Sequence, residues 1–121
     1  MLAFAIFLIV ATGAAHSYLG ERYLLMRLFK RQDLPKLLGG TAFTVGTLRF
    51  AWHLTTVAWW GLAYMVYAAR SGPVAQDDVL TVVGMTTLVS AAFPLYFTRG
   101  KHLSWVVFLV VGAVLLGARS G

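Results

Sequence analysis

The chain has 121 residues, of which 60% are hydrophobic and 12% charged, and its formal net charge is +6. A soluble domain carries about a quarter charged residues, and so short a chain cannot enclose this much apolar surface in a core of its own. The composition excludes an ordinary soluble enzyme, a disordered protein and, because cysteine is absent, a disulfide scaffold. It predicts a single integral membrane domain over residues 1–121, surrounded by lipid.

Four apolar segments approach the length of about 20 residues that a helix needs to cross the hydrocarbon core. They cover residues 2–19, 45–69, 79–97 and 103–118. The pattern predicts an all-α membrane protein, a four-transmembrane-helix bundle. An even number of spans places both chain ends on the same side of the membrane.

The segment after the first span is amphipathic. Its apolar side chains share one helical face, namely Tyr23, Leu24, Leu25, Leu28 and Phe29. This predicts a short interfacial amphipathic helix between spans one and two, lying among the lipid headgroups. Four basic residues in it are the predicted contacts for anionic lipid headgroups: Arg22, Arg27, Lys30 and Arg31. The alternative is that they only orient the protein.

The basic residues are unevenly distributed along the chain. Residues 20–49 carry six Lys or Arg residues and the connection at Arg99 and Lys101 carries two, of ten in the whole chain. The positive-inside rule therefore places both connections in the cytoplasm and both termini outside, an N-out/C-out topology in a bacterial-type inner membrane. Basic residues that adjoin apolar spans indicate contact with lipid, so no nucleic-acid partner is predicted.

The three histidines, His16, His53 and His102, all fall toward the predicted cytoplasmic side, and Glu21 is the carboxylate nearest to that level. Imidazole is the commonest metal ligand, and helical bundles build metal sites from side chains on facing helices. These residues are the candidate ligands of a transition metal (Zn, Fe or Cu), or of haem b. The alternative for each histidine is a structural or interfacial role.

Three arginines lie at the same level as the histidines. We expect Arg22, Arg49 and Arg99 to surround an anionic group if the ligand carries one.

The second span has a polar and aromatic stripe at a spacing of three or four residues, formed by Arg49, His53, Thr56, Trp60, Tyr64 and Tyr67. One interpretation is a ligand-lining face for a quinone, a lipid or another small amphipathic molecule, with four lining residues: Arg49, Thr56, Trp60 and Tyr64. The alternative is helix packing with aromatic residues near the membrane interface.

Three functions follow as hypotheses. The first is a small integral membrane protein with a histidine-ligated metal or haem site near its cytoplasmic face. The second is a structural or accessory membrane protein without a cofactor. The third is an oligomeric carrier for a small amphipathic solute, which would use the aromatic stripe on span two. Small residues in spans one and four permit close packing of helices, within the bundle or between two copies in a homo-oligomer. Whether the chain is an enzyme is left open.

Overall fold

The computed structural model describes residues 1–119, and its secondary structure over that range consists of helices without strands. Helix α1 covers Leu2–Leu19 and runs on through a π-helical turn, Gly20–Leu25, and a short α-helical piece, Met26–Leu28. Three further helices follow: α2 at Ala42–Ala69, α3 at Gln76–Phe97 and α4 at Ser104–Gly117.

The first span and the predicted interfacial helix form one continuous helix, Leu2–Leu28, of 27 residues. The sequence pattern separates a span from an interfacial helix, whereas the structure joins the two segments without ending the helix. No proline precedes Pro35, and Gly20 keeps right-handed helical dihedral angles (φ −61°, ψ −48°), so the backbone has no interruption at this point. The extra residue of the π-helical turn changes the direction of the side chains beyond Gly20 without ending the helix.

The helices pack in chain order, α1 on α2, α2 on α3 and α3 on α4. Over residues 1–119, no close backbone contact joins α4 to α1 or α2, or α1 to α3. The arrangement is an open row in which α2 has α1 on one side and α3 on the other. Each inner helix, α2 or α3, has a neighbour on both sides, so a site on it can take side chains from three helices.

Glycine allows the close approach of helices at each crossing. A Cβ on Gly13 of α1 would lie 2.8 Å from the Trp60 indole nitrogen of α2. A Cβ on Gly46 of α2 would overlap the carbonyl group of Phe97 in α3, and one on Gly84 of α3 would lie 2.9 Å from a leucine side chain of α4. Small residues at the contacts bring the backbones together, as in helix pairs inside membranes.

The connections 29–41 and 98–103 lie at the same end of the row, which we call the basic end because Lys30, Arg31, Arg99 and Lys101 are found there. The longer connection is tied to α2, since the Thr44 hydroxyl donates to the Pro35 carbonyl at 2.7 Å. The shorter one reverses the chain with Gly100 at φ 76°. The polar part of the α1–α2 interface lies toward this end.

Much of the apolar surface of the row is uncovered. Phe4 of α1 is 65% exposed and Val114 of α4 is 62% exposed. In the part of the chain that the structure describes, two helices, Leu2–Leu28 and Gln76–Phe97, are long and apolar enough to cross a membrane. The four-span topology and its orientation stay predictions.

Candidate functional site

A chain of hydrogen bonds connects α1 to α2 and ends at an ion pair near the basic end. The Thr56 hydroxyl donates to the Gly13 carbonyl at 2.9 Å and lies 2.7 Å from the Ser17 hydroxyl. Ser17 is 2.9 Å from His53 Nδ1, and His53 Nε2 is 3.2 Å from Glu21 Oε2. We call these five residues, together with Arg49, the polar ladder.

The direction of each hydrogen bond in the polar ladder follows from its first member. A carbonyl oxygen only accepts, so the single Thr56 hydroxyl proton is used on Gly13, and Ser17 must donate to Thr56. With its own proton committed, Ser17 accepts from His53, and Nδ1 therefore carries a proton. A neutral imidazole would then present a bare Nε2 to the Glu21 carboxylate, two acceptors facing each other. One more proton must lie between His53 and Glu21.

Arg49 determines which partner holds that proton. Its Nη2 lies 2.7 Å from Glu21 Oε1 and its Nε donates to Oε2 at 3.1 Å, a two-pronged pair that favours the ionised carboxylate. An imidazolium at His53, with both ring nitrogens donating, satisfies this pattern of hydrogen bonds. The side chains of Arg49, Glu21 and His53 are 29%, 31% and 16% exposed, so this charge cluster is partly shielded from the surroundings.

The π-helical turn and a glycine bring Glu21 into this position. The turn begins at Gly20, whose missing Cβ leaves room for the indole ring of Trp52. That indole nitrogen donates to the His16 carbonyl at 3.0 Å, which fastens α2 to the last α-helical turn of α1. π-Helical turns inside α-helices are often found at functional sites, because the extra residue redirects the side chains that follow it.

Beside the polar ladder lies a cavity of about 550 Å³, which we call the ladder cavity. Residues of α1, its extension, α2 and α3 line it: Ala14, Ser17, Tyr18, Glu21, Arg22, Met26, His53, Thr56, Val57, Trp60 and Phe93. Its walls are polar where the ladder lies and apolar elsewhere.

A second cavity of about 500 Å³, the apolar cavity, lies between α2 and α3. Its lining is Val57, Trp60, Gly61, Tyr64, Thr81, Val82, Met85, Thr86, Val89 and Phe93. The two cavities share Val57, Trp60 and Phe93, so they adjoin along the face of α2. We call the two adjoining cavities together the groove; charged residues line one end of it and mainly apolar residues line the rest. Ligand sites commonly have volumes of about 300–1,000 Å³.

The structure places the four predicted ligand-lining residues in different parts of this region. Thr56 lines the ladder cavity, Tyr64 lines the apolar cavity, and Trp60 lines both. Arg49 lines neither; it contacts Glu21, and its guanidinium lies 4.9 Å from the centre of the Phe29 ring.

His16 is held away from the polar ladder by aromatic rings. It stacks on Trp52 with ring centres 4.4 Å apart and planes within 3°, and its centre lies 5.2 Å from that of Trp59. Among the described residues, its buried Nε2 has no hydrogen-bond partner. The position is that of a packed interface histidine.

His102 stabilises the start of α4. Its Nδ1 accepts from the Ser104 hydroxyl at 2.8 Å and lies 3.4 Å from the Ser104 backbone nitrogen, which donates to it. The start of α4 thus occupies this ring nitrogen. The ring also packs edge-on against Phe50, with centres 4.9 Å apart.

The predicted metal ligands thus fall into three separate settings. His53 contacts Glu21 in the polar ladder, His16 lies between tryptophans, and His102 caps a helix. Within residues 1–119, no group of three or more His, Cys, Asp or Glu side chains is placed to hold a metal ion. The three-histidine centre is not formed in this structure, since the histidines of α1 and α2 point to different sides of one interface.

The basic residues predicted to meet anionic lipid also differ in their surroundings. Arg22, Arg27 and Lys30 are all exposed, but only Arg22 lines the ladder cavity, and the other two line neither cavity. Arg31 donates from Nε to Asp33 at 2.8 Å, and this hydrogen bond holds the pKa of the Asp33 carboxyl below its ordinary value. The positive charge of Arg31 is thereby matched locally.

Of the three arginines expected around an anionic group, Arg22 faces the ladder cavity and Arg49 contacts Glu21. Arg99 is exposed in the turn after α3, with φ 52°.

Sequence reasoning missed Ser17, which links the two halves of the polar ladder. A signal was present, since Ser17 and Glu21 lie four residues apart on one helix and Arg49, His53 and Thr56 recur at four and three residues on the next. Side chains at these spacings share one face of a helix. Two polar faces on consecutive apolar helices predict a polar contact between those helices.

The site therefore combines a partly shielded ion cluster, a chain of hydrogen bonds and the adjoining apolar cavity. Comparison of the chain with models of known protein families, with characterised proteins and with solved structures gives no match.

Proposed function

We propose that the chain is an integral membrane protein that binds a small amphipathic molecule in the groove, with the polar head in the ladder cavity and the apolar part in the apolar cavity. The observation that carries this proposal is the groove itself. It is polar on the wall formed by Ser17, Glu21 and His53 and apolar from Val57 onward. An amphipathic ligand matches both environments at once.

The membrane setting supports the same proposal. Two helices have the length and composition of membrane spans, and the outer faces of α1 and α4 expose apolar side chains that a bilayer would cover. We place all four helices in an inner membrane with the basic end in the cytoplasm, on the basis of the uneven distribution of Lys and Arg. Amphipathic ligands would then enter the groove from the lipid.

The polar ladder gives the groove a stable shape at its polar end. Each hydrogen bond and ion pair of the ladder joins α2 to α1 or to its extension, so the polar end of the groove is held at several points. Preformed polar groups lower the free energy lost in ordering a site when a ligand binds. We propose this fastening role for the ladder in the ligand-free protein.

Quenching of tryptophan fluorescence tests the proposal. Dibromostearyl alcohol, a single-chain amphiphile whose bromines quench nearby indoles, is titrated into protein reconstituted in phosphatidylcholine nanodiscs. Trp60 lines both cavities, so we expect a saturable component of quenching that unbrominated stearyl alcohol displaces and that the Trp60→Phe variant lacks. Quenching that only rises in proportion to the probe, with no displaceable part, would show partitioning into the bilayer and refute the proposal.

Two matched valine variants localise the binding. Val89 lines the apolar cavity and is 49% exposed, whereas Val83 lies on the same helix, is 41% exposed and lines neither cavity. Val89→Phe fills part of the groove, so we expect it to weaken the saturable component, and we expect Val83→Phe to leave it unchanged. Equal effects of the two variants would contradict a site in the groove.

A flux measurement separates a carrier from a static binding protein. If the chain carries its ligand across the membrane, liposomes that contain it will move the alcohol between leaflets faster than empty liposomes, and Val89→Phe will lower that rate.

A further inference from the structure

We infer that the occupant of the groove has an anionic head and a single apolar chain. This inference rests on the proposed function and names the class of ligand. It depends on the charges around the ladder cavity and on the path of the groove.

The charge at the polar end is positive. Arg22, Glu21 and His53 line the ladder cavity, and Arg49 forms an ion pair with Glu21 at 2.7 Å. Arg22 and Arg49 are two cationic groups against the one carboxylate of Glu21, and the imidazolium form of His53 that satisfies the ladder adds a third. A cationic head would meet net repulsion here, and an anionic head net attraction, which is strengthened by the low polarity of the surroundings.

Glu21 is already saturated, whereas Arg22 is not. Both Glu21 oxygens accept from Arg49, and one also faces His53. Arg22 makes no ion pair in the part of the chain that the structure describes, although it lies on the cavity wall. Its guanidinium offers two parallel N–H groups that match a carboxylate, sulfate or phosphate. Arg22 is therefore the residue that would bind the anionic head.

The groove leaves room for one chain. From the ladder cavity it continues past Val57, Trp60 and Phe93 into the apolar cavity between α2 and α3. A third cavity of about 260 Å³, lined in part by Trp59 and Leu62, shares no lining residue with these two. At 3.6 residues per turn, Trp59 and Leu62 point about 100° and about 160° away from Trp60 around α2, so the groove gives a second chain from the same head no path to that cavity. The shape fits a single-chain amphiphile rather than a two-chain phospholipid.

The experiment compares probes with one tail and different heads. Dibromostearyl sulfate is anionic at every working pH, dibromostearyl alcohol is neutral, and dibromostearyl trimethylammonium is cationic. Each is titrated into the protein in phosphatidylcholine nanodiscs, and the saturable quenching of Trp60 is measured against Trp60→Phe. Phosphatidylglycerol with dibrominated chains serves as the two-chain anionic probe.

We expect the sulfate to bind roughly tenfold more tightly than the alcohol, as a charge-assisted hydrogen bond provides, and the ammonium probe to bind most weakly. Arg22→Gln should bring the sulfate close to the alcohol. Arg27→Gln removes an exposed arginine from the same helix extension that does not line the groove, so it should leave the preference intact.

The outcomes separate the two claims. Equal binding of sulfate and alcohol, or tighter binding of the ammonium probe, would overturn the anionic head while leaving the groove as a ligand site. Tighter binding of the phosphatidylglycerol than of the sulfate would overturn the single chain. An absence of saturable Trp60 quenching by any of the four probes would refute the proposed function itself.

Discussion

Replacing Gly46 with alanine sets two opposite effects against each other. Gly46 lies inside α2, where alanine favours the helix by up to about 1 kcal/mol over glycine. At this position, however, the added Cβ would overlap the carbonyl oxygen of Phe97 and lie 2.9 Å from its carbonyl carbon. Both atoms belong to the backbone of α3, so no side-chain rotation relieves the overlap.

The geometry decides the sign of the effect. Ordinary van der Waals contact of a Cβ begins near 3.4 Å, so the carbonyl carbon alone requires α2 and α3 to separate by about half an ångström, and the oxygen requires more. Overpacking of this kind costs about 1–3 kcal/mol, which exceeds the gain in helix propensity. We expect Gly46→Ala to lower the free energy of unfolding by about 1–2 kcal/mol.

The separation would also reach the site. Phe97, the residue that Gly46 touches, has its ring centre 6.0 Å from that of His53, so moving α3 outward loosens the wall of the groove next to the polar ladder. We therefore expect weaker saturable quenching of Trp60 by the amphiphile in Gly46→Ala as well as lower stability.

Reversible unfolding in mixed micelles with increasing SDS, followed by circular dichroism, measures the stability change. Gly117→Ala is the control, because Gly117 is also a helical residue, the last one of α4, and a Cβ there meets nothing within 4 Å. It should be neutral or slightly stabilising. If Gly46→Ala is as stable as the wild type or more stable, the close crossing of α2 and α3 is incorrect.

Three further variants test the polar ladder and the helix cap. The ladder directions predict that His53 Nε2 carries a proton in the wild type; in Glu21→Gln the amide can donate to this nitrogen, so we expect the proton to be lost. ¹⁵N NMR of labelled histidine measures both states, and a neutral His53 in the wild type would contradict the ladder directions. Thr56→Val keeps the side-chain shape but removes the donor to Gly13 and the acceptor for Ser17, so it should lower the free energy of unfolding by about 1–2 kcal/mol. Thr55→Val, which breaks no such bond, should change stability little, and equal effects in the SDS titration would argue against a structural ladder. His102→Ala removes the side-chain acceptor at the start of α4 and should lower the free energy of unfolding by about 1 kcal/mol in the same assay. Loss of a bound metal ion with unchanged stability would instead support ligation by this histidine.

Much of the secondary structure follows from local pattern. The apolar runs at residues 2–19 and 79–97 correspond to helices Leu2–Leu19 and Gln76–Phe97, because a long apolar segment whose backbone bonds only to itself is helical. The stripe on α2 is also a local property, since a spacing of three or four residues places side chains on one face whatever surrounds the helix. These features can be predicted without knowing which helices contact each other.

The grouping of side chains across helices depended on tertiary structure. Sequence spacing does not say which face of α1 meets α2, and His16 and Ser17, adjacent in the chain, point about 100° apart on the helix. The close approach at Gly13 and Gly20 turns Ser17 and Glu21 toward His53 and leaves His16 against Trp52. The sequence places the three histidines at a similar depth in the membrane and so suggested that they share a site. The close packing at glycine instead brings His53 to Glu21 beside the groove and leaves His16 against Trp52.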